Sequence, residues 1–187
     1  MENKKIKIPV NVTGEITARF YDQSGLSAFE KWINKIILEL RRQFPKLILF
    51  YRLGTLVFSD THKNVICNNG FNAICRRLAN DSTFTGTINK MLLGDGVGPA
   101  AATDTQLIHE TYRNPVASGT ASANIAYLTA YFTETECSGT YKEFGNVIDG
   151  SAGANTGQLW SHLTNLNWVK GNTVALVVDC KYTFAST

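Results

Sequence analysis

ANIAYLTAYFT, residues 123–133, decides the fold class. Ile125, Tyr127, Thr129 and Tyr131 alternate with Ala126, Leu128, Ala130 and Phe132. Successive side chains of a strand point to opposite faces, so this period-two pattern predicts a strand with one buried face. TVALVVDCKYTF, residues 173–184, repeats the pattern, with Val174, Leu176, Val178, Cys180, Tyr182 and Phe184 on one side. Residues 87–93, 107–117, 139–147 and 157–163 read as further short strands between turns rich in Gly, Asn, Ser and Thr. Several short strands at this spacing predict a mainly β protein, an antiparallel β-sandwich.

Upstream, residues 4–21 also alternate, with Ile6, Ile8, Val10, Val12, Ile16, Ala18 and Phe20 in one series. Pro9 carries no N–H and favours an edge or a bend there. Asp22–Gly25 is a turn. The period then changes. Ala28, Phe29, Trp32, Ile33, Ile36, Ile37, Leu40 and Phe44 follow 3.6-residue spacing, which predicts one long amphipathic helix inserted near the N-terminus. Ser27 and Glu30 form a capping box at its start, and Pro45 ends it. The polar face is basic (Lys31, Lys35, Arg41, Arg42). A helix packed on its own sheet or on a partner subunit is expected; a membrane-surface helix is the alternative.

KLILFYRLGTLVF, residues 46–58, reads as a long strand or a hairpin turning near Arg52–Thr55, and polar residues 59–64 read as a turn. A second, short helix is expected over 70–79, with Phe71, Ile74, Cys75 and Leu78 on its apolar face. The chain thus divides into a leading strand segment (1–25), a helix-plus-strand insertion (26–60) and a sandwich domain (61–187).

The 187 residues are 44% hydrophobic and only 18% charged, with a net charge of +3. This charge is too small to argue for nucleic acid, and none is expected as a partner. It is unevenly spread: residues 1–63 hold eleven Lys/Arg and six Asp/Glu, the remainder seven and nine. Such asymmetry suits either a solvated basic face or contact with an acidic neighbour. The four cysteines (Cys67, Cys75, Cys137, Cys180) and three histidines (His62, His109, His162) lack metal-ligand spacing. Buried or half-buried thiols in a protein made in a reducing cytoplasm are expected. No apolar run reaches the ~18–20 residues of a membrane span, and the charged start does not read as a signal peptide.

Gly94-Asp95-Gly96-Val97-Gly98-Pro99 fits neither phosphate-binding glycine spacing and reads as a turn into an exposed loop. Asp95 and Asp104 read as turn residues capping their own backbone. Glu134, Glu136 and Glu143 are the clustered carboxylates; Glu134 and Glu136, two residues apart on one strand face, read as a solvated strand end rather than as the facing acid pair a glycosidase needs. No nucleophile elbow is present, and the histidines read as solvent-facing or hydrogen-bonded. Trp160 and Trp168 bracket SHLTNLN and suit core, a subunit interface or sugar stacking. No catalytic, metal or cofactor residues are expected.

One combination of segments resembles a recurrent family of tailed-phage structural proteins. Asn64-Val65-Ile66-Cys67-Asn68-Asn69-Gly70-Phe71-Asn72-Ala73-Ile74 is similar to its N-x-I-x-N-x-G-x-N-x-I opening. Leu92-Leu93-Gly94-Asp95-Gly96 followed by Pro99-Ala100-Ala101-Ala102-Thr103-Asp104-Thr105-Gln106-Leu107 is similar to its G-x-G…P-A-A-x-D-T-x-L segment. Arg113 matches its strand arginine, and Ser138–Gly145 its T/S-G-x-x-x-E-x-G turn and strand. Asn146-Val147-Ile148 departs from the Leu-Phe pair of many members. The resemblance covers about residues 64–187 and the leading GEITARFYD strand; residues 26–60 have no counterpart. It implies a virion protein without catalytic residues: a tail, baseplate or neck/fibre-attachment component, or else a capsid-decoration or head-fibre protein. The implied partners are copies of itself and other virion proteins. A host-glycan-binding module of a tail fibre is the other reading. The expected interface residues are Phe29, Trp32, Ile36, Phe44, Phe50 and Tyr51 in the insertion, with Trp160 and Trp168 in the sandwich. A glycan hydrolase has the least support, since paired acids and a nucleophile are missing.

Overall fold

The computed structural model describes residues 10–43 and 52–186. In chain order these form β1 (Val10–Asp22), α1 (Ala28–Gln43), β2 (Thr55–Ile66), α2 (Asn68–Leu78), β3 (Ile88–Gly94), β4 (Glu110–Pro115), β5 (Ser118–Ser122), β6 (Ile125–Phe132), β7 (Gly139–Tyr141), β8 (Glu143–Ile148), β9 (Gln158–Leu163), β10 (Trp168–Lys170) and β11 (Val174–Ser186). The chain is mainly β, and nine strands form one curled antiparallel sheet in the order β4-β3-β8-β9-β2-β1-β11-β6-β5. β7 and β10 make a separate ribbon.

The sheet folds on itself because β2 serves both halves. Its residues 55–64 pair with β1, and its last two, Val65 and Ile66, pair with His162 and Ser161 of β9. One half (β5, β6, β11, β1, β2) therefore faces the other (β9, β8, β3, β4), a sandwich-like arrangement. The two ends of the sheet, β4 and β5, are consecutive in the chain and joined by Val116–Ala117. Ala117 N–H donates to Thr129 O at 2.7 Å and Asn114 Nδ2 to Tyr131 O at 2.8 Å, fixing this corner.

The alternation seen in sequence forms the core. Ala130 and Phe132 of β6 and Leu176, Val178, Cys180 and Tyr182 of β11 face Met91, Leu93, Phe144 and Trp160 from the other half. Each fully buried large aliphatic or aromatic side chain contributes about 1.5–3 kcal/mol. At the centre, Tyr182 OH and Ser161 Oγ both donate to Asn146 Oδ1, at 2.8 and 2.6 Å, and Asn146 Nδ2 lies 3.3 Å from Cys180 Sγ. This satisfied network ties β8, β9 and β11 together.

α1 starts with the expected capping box: Glu30 N–H donates to Ser27 Oγ at 3.2 Å, and Ser27 N–H to Glu30 Oε2 at 2.8 Å. Because Asp22 and Thr55 are register partners of adjacent strands, the chain leaves the sheet for α1 and returns at the same place. The expected division at residue 60 falls inside β2. The polar stretch 59–64 is strand, not turn. Ser59, Thr61 and Lys63 are exposed and Asp60, His62 and Asn64 half-buried, but all six are polar, so no apolar alternation marks the strand; Thr17–Thr61 and Asp60–Trp168 hydrogen bonds hold it instead. β5 and β10 were also not expected, being short and, for β5, built of small polar residues. The single strand expected over 139–147 divides at Lys142 into β7 and β8, in different sheets.

α2 is rotated from its expected face. Gly70 and Ala73 are buried, whereas Leu78 and Cys75 are exposed. The cause is close approach to β9: a Cβ on Gly70 would lie 2.7 Å from both Cα and Cε3 of Trp160. Alanine would normally favour a helix over glycine by about 1 kcal/mol. Here Gly70→Ala is expected to destabilise by about 1–3 kcal/mol through overpacking, read as a lowered midpoint in denaturant unfolding.

Candidate functional site

Glu143 opens β8 and is fully buried. Its Oε1 accepts N–H groups of Gly96 (3.1 Å) and His109 (2.7 Å), and its Oε2 accepts Ile108 N–H (2.9 Å). His162 on β9, also fully buried, meets Glu143 Oε2 through Nε2 at 2.9 Å and Asp104 Oδ2 through Nδ1 at 2.7 Å. Asp104 Oδ2 also accepts Ala101 N–H at 2.8 Å. The glycines of the 94–98 turn make room for this: a Cβ on Gly94 or Gly96 would lie 2.5 or 2.4 Å from Glu143 Oε1. Leu107 closes the segment in an outer apolar cluster with Cys67, Leu92, Val147 and Leu159. The loop from Gly94 to His109 is thus bolted to β8 and β9 by one buried carboxylate and one imidazole between two carboxylates.

Burial alone would push the Glu143 carboxyl up; hydrogen bonds from His162, His109 and Ile108 outweigh it and hold it below its ordinary value. Burial would push His162 down; its bonds to Glu143 and Asp104, and their charges, outweigh that and raise it. An imidazole with both nitrogens facing carboxylates is held as a cation. Both nitrogens are occupied, and no hydroxyl or thiol bonds to the ring among the described residues. The cluster anchors the Gly94–His109 loop to β8 and β9. The role of Glu143 is not legible from its strand position, because its partners come from a distant loop. Asp104 caps its own turn as expected and in addition binds His162.

A second buried pair guards β4. Arg113 and Glu110 are joined through Nη2–Oε2 at 2.7 Å, and Arg113 Nη1 donates to Ser151 O (2.9 Å) and Thr156 Oγ1 (2.8 Å). This pins the loop between β8 and β9 beside that edge. Burial pushes the thiols of Cys67 and Cys180 to about 12 and Cys137 to about 11, so none is a thiolate at neutral pH. Cys75 is exposed, contrary to expectation, since its helix position faces away from β9.

The surface tells a different story. α1 buries Asn34 and Ile37, with Asn34 Nδ2 donating to Arg52 O at 2.7 Å, against the returning chain. Four of its apolar residues face outward: Phe29 is 65% exposed, Trp32 56%, Ile36 38% and Leu40 37%. The Phe29 and Trp32 rings stack with centroids 5.9 Å apart. Leu56, Val57 and Phe58, at the start of β2, are also exposed. Phe29, Trp32 and Ile36 therefore share one exposed stripe of α1. Phe44, Phe50 and Tyr51 lie outside the described residues. Trp160 and Trp168 are corrected: at 2% and 0% exposure they are core. Trp160 is enclosed by Phe71, Tyr182 and Phe184, and Trp168 by Phe20 and Phe144 with its Nε1 donating to Asp60. Neither ring can stack on a sugar. The clue to the anchoring cluster was present in the paired glycines ahead of Asp104; Leu56–Phe58 carried no such clue.

The cluster makes stability pH-dependent in a defined direction. The raised His162 contributes fully below its ordinary value of 6.5 and loses that contribution as pH rises through its higher folded value. The lowered Glu143 contributes fully above its ordinary value of 4.5 and loses it as pH falls through its lower folded value. His162→Gln, which strands a buried carboxylate, is expected to cost about 3–5 kcal/mol. The gap in melting temperature between parent and variant should be widest from pH 4.5 to 6.5 and narrow on both sides. A gap independent of pH would show that His162 is not charged.

No family model, curated protein or solved structure matches this chain.

Proposed function

We propose that the chain is a structural subunit of a tailed-bacteriophage virion, a tail, baseplate or neck/fibre-attachment component that acts by assembly with copies of itself and with other virion proteins. The observation that carries this reading is the outward apolar stripe of α1. It sits on an excursion that departs from and returns to one point of the sheet, so it is presented by the sandwich rather than used to build it. Interface centres are rich in aromatics and poor in charge, as Phe29, Trp32, Ile36 and Leu40 are. The buried ionisable groups, by contrast, are spent on holding loops, which suits a rigid building block without turnover. No helix among the described residues is long and apolar enough to cross a membrane.

The register pairing of Asp22 with Thr55 supplies a clean test. Replacing residues 24–54 by a short turn should preserve the far-ultraviolet spectrum and cooperative unfolding of the sandwich while abolishing incorporation into particles. In the intact chain, Phe29→Ser with Trp32→Ser should weaken association at least about thirtyfold, as for central aromatic anchors. Light scattering over a concentration series and particle incorporation read both effects. Unchanged association and incorporation of both variants would remove the proposal.

A further inference from the structure

The two ends of the curled sheet are treated very differently. β4 carries Pro115 and a register irregularity at Leu93/Gly94, and the Arg113-pinned loop lies beside it. β5, Ser118-Gly119-Thr120-Ala121-Ser122, pairs with β6 over five uninterrupted positions, and no strand among the described residues lies on its other side. It has no charge, no proline and no bulge, the devices by which natural edges refuse another strand. Behind it the sandwich stays open. Its residues Gly119 and Ala121 pair with Leu128 and Ala126, whose side chains point inward; being so small, they leave a groove of about 430 Å³. The far rim is Gly86–Ile88, ahead of the first β3–β4 pair at Lys90 and Pro115. Its floor includes Leu128, Ile148, Trp160 and Phe184, and among the described residues no charged side chain lines it.

A slot between a bare strand edge and an apolar floor fits an extended chain with apolar residues at alternate positions. Residues 1–9, MENKKIKIP, carry that pattern in Ile6 and Ile8, in phase with Val10 and Val12 of β1. Nine residues reach at most about 30 Å. To add to the free edge of its own β5, the segment would have to cross β11, β6 and β5, four strand spacings of about 4.8 Å, or about 19 Å. That would consume about six of the residues nearest β1, Ile6 and Ile8 among them, and leave neither isoleucine for the slot. A continuation away from β1 that does not cross would bring Ile6 and Ile8 to a neighbour. We propose that β5 receives residues 4–8 of a second copy as an added strand, with Ile6 and Ile8 in the groove and Lys5 and Lys7 toward solvent. This rests on the assembly reading and names one of its contacts, a strand exchange that uses a surface remote from the α1 stripe.

The test compares the full chain with a chain lacking residues 1–9, by light scattering across a concentration series and by fluorescence of the groove-lining Trp160. The truncated chain should unfold as cooperatively as the parent but associate tenfold or more weakly. The synthetic peptide MENKKIKIP should bind it and change its tryptophan emission. Peptide with Ile6→Asp and Ile8→Asp should fail to bind, and Ala121→Phe, which fills the groove, should block the parent peptide while leaving the fold intact. Association of the truncated chain at parental strength, or peptide binding unaffected by Ala121→Phe, would overturn the strand exchange and leave the assembly reading in place. A full chain that stays monomeric at every concentration and never enters particles would overturn both.

Discussion

A carboxylate with no access to water must find every partner inside the protein, and Glu143 sets that requirement for this fold. Three backbone N–H groups and His162 meet it. Meeting it draws the whole loop from Gly94 to His109 against β8 and β9. His162 in turn needs Asp104, and Asp104 holds the backbone at Ala101. Burial of a lone charge is costly enough that the loop cannot lift away while Glu143 stays ionised. What looks in sequence like a flexible glycine loop is therefore a fixed face of the sandwich. Gly94, Gly96, Asp104 and Leu107 all take part in anchoring it.

The same logic separates what stabilises the chain from what it presents. The Tyr182–Ser161–Asn146 network and the Arg113–Glu110 pair are inward and satisfied. Val116–Ala117 closes the corner between β4 and β5. Two outward features among the described residues contrast with these: the aromatic stripe of α1 and the edge of β5. The first is exposed side-chain surface, the second a strand edge beside a groove. They are different kinds of surface and lie on different elements.

How much of this was legible depended on whether the signal was local. Ile125–Phe132 and Val174–Phe184 announced their strands because one face is buried and the other is not. Ser27 and Glu30 announced the start of α1 because a capping box is complete within four residues. Residues 59–64 did not read as strand because both faces of β2 are polar there, and β5 did not because Ser, Gly, Thr and Ala carry no alternation. Glu143 and His162 looked ordinary because their partners lie many residues away. Trp160 and Trp168 looked like surface candidates because a tryptophan's environment is not written in its neighbours.

The amino-acid sequence by itself determined the mainly β class, the long helix with its cap, and the aromatic composition of the segment between β1 and β2. Each follows from side-chain periodicity or from contacts within one turn. Only the tertiary structure decided that the sheet is a single curled one with β4 and β5 at its ends, that Glu143 is an internal anchor, and that α1 turns its aromatic stripe outward. The physical reason is that burial is a property of where distant segments meet. Thr55–Asn64 is strand because β1 lies beside it, and Phe29 is exposed because nothing described in the chain covers it.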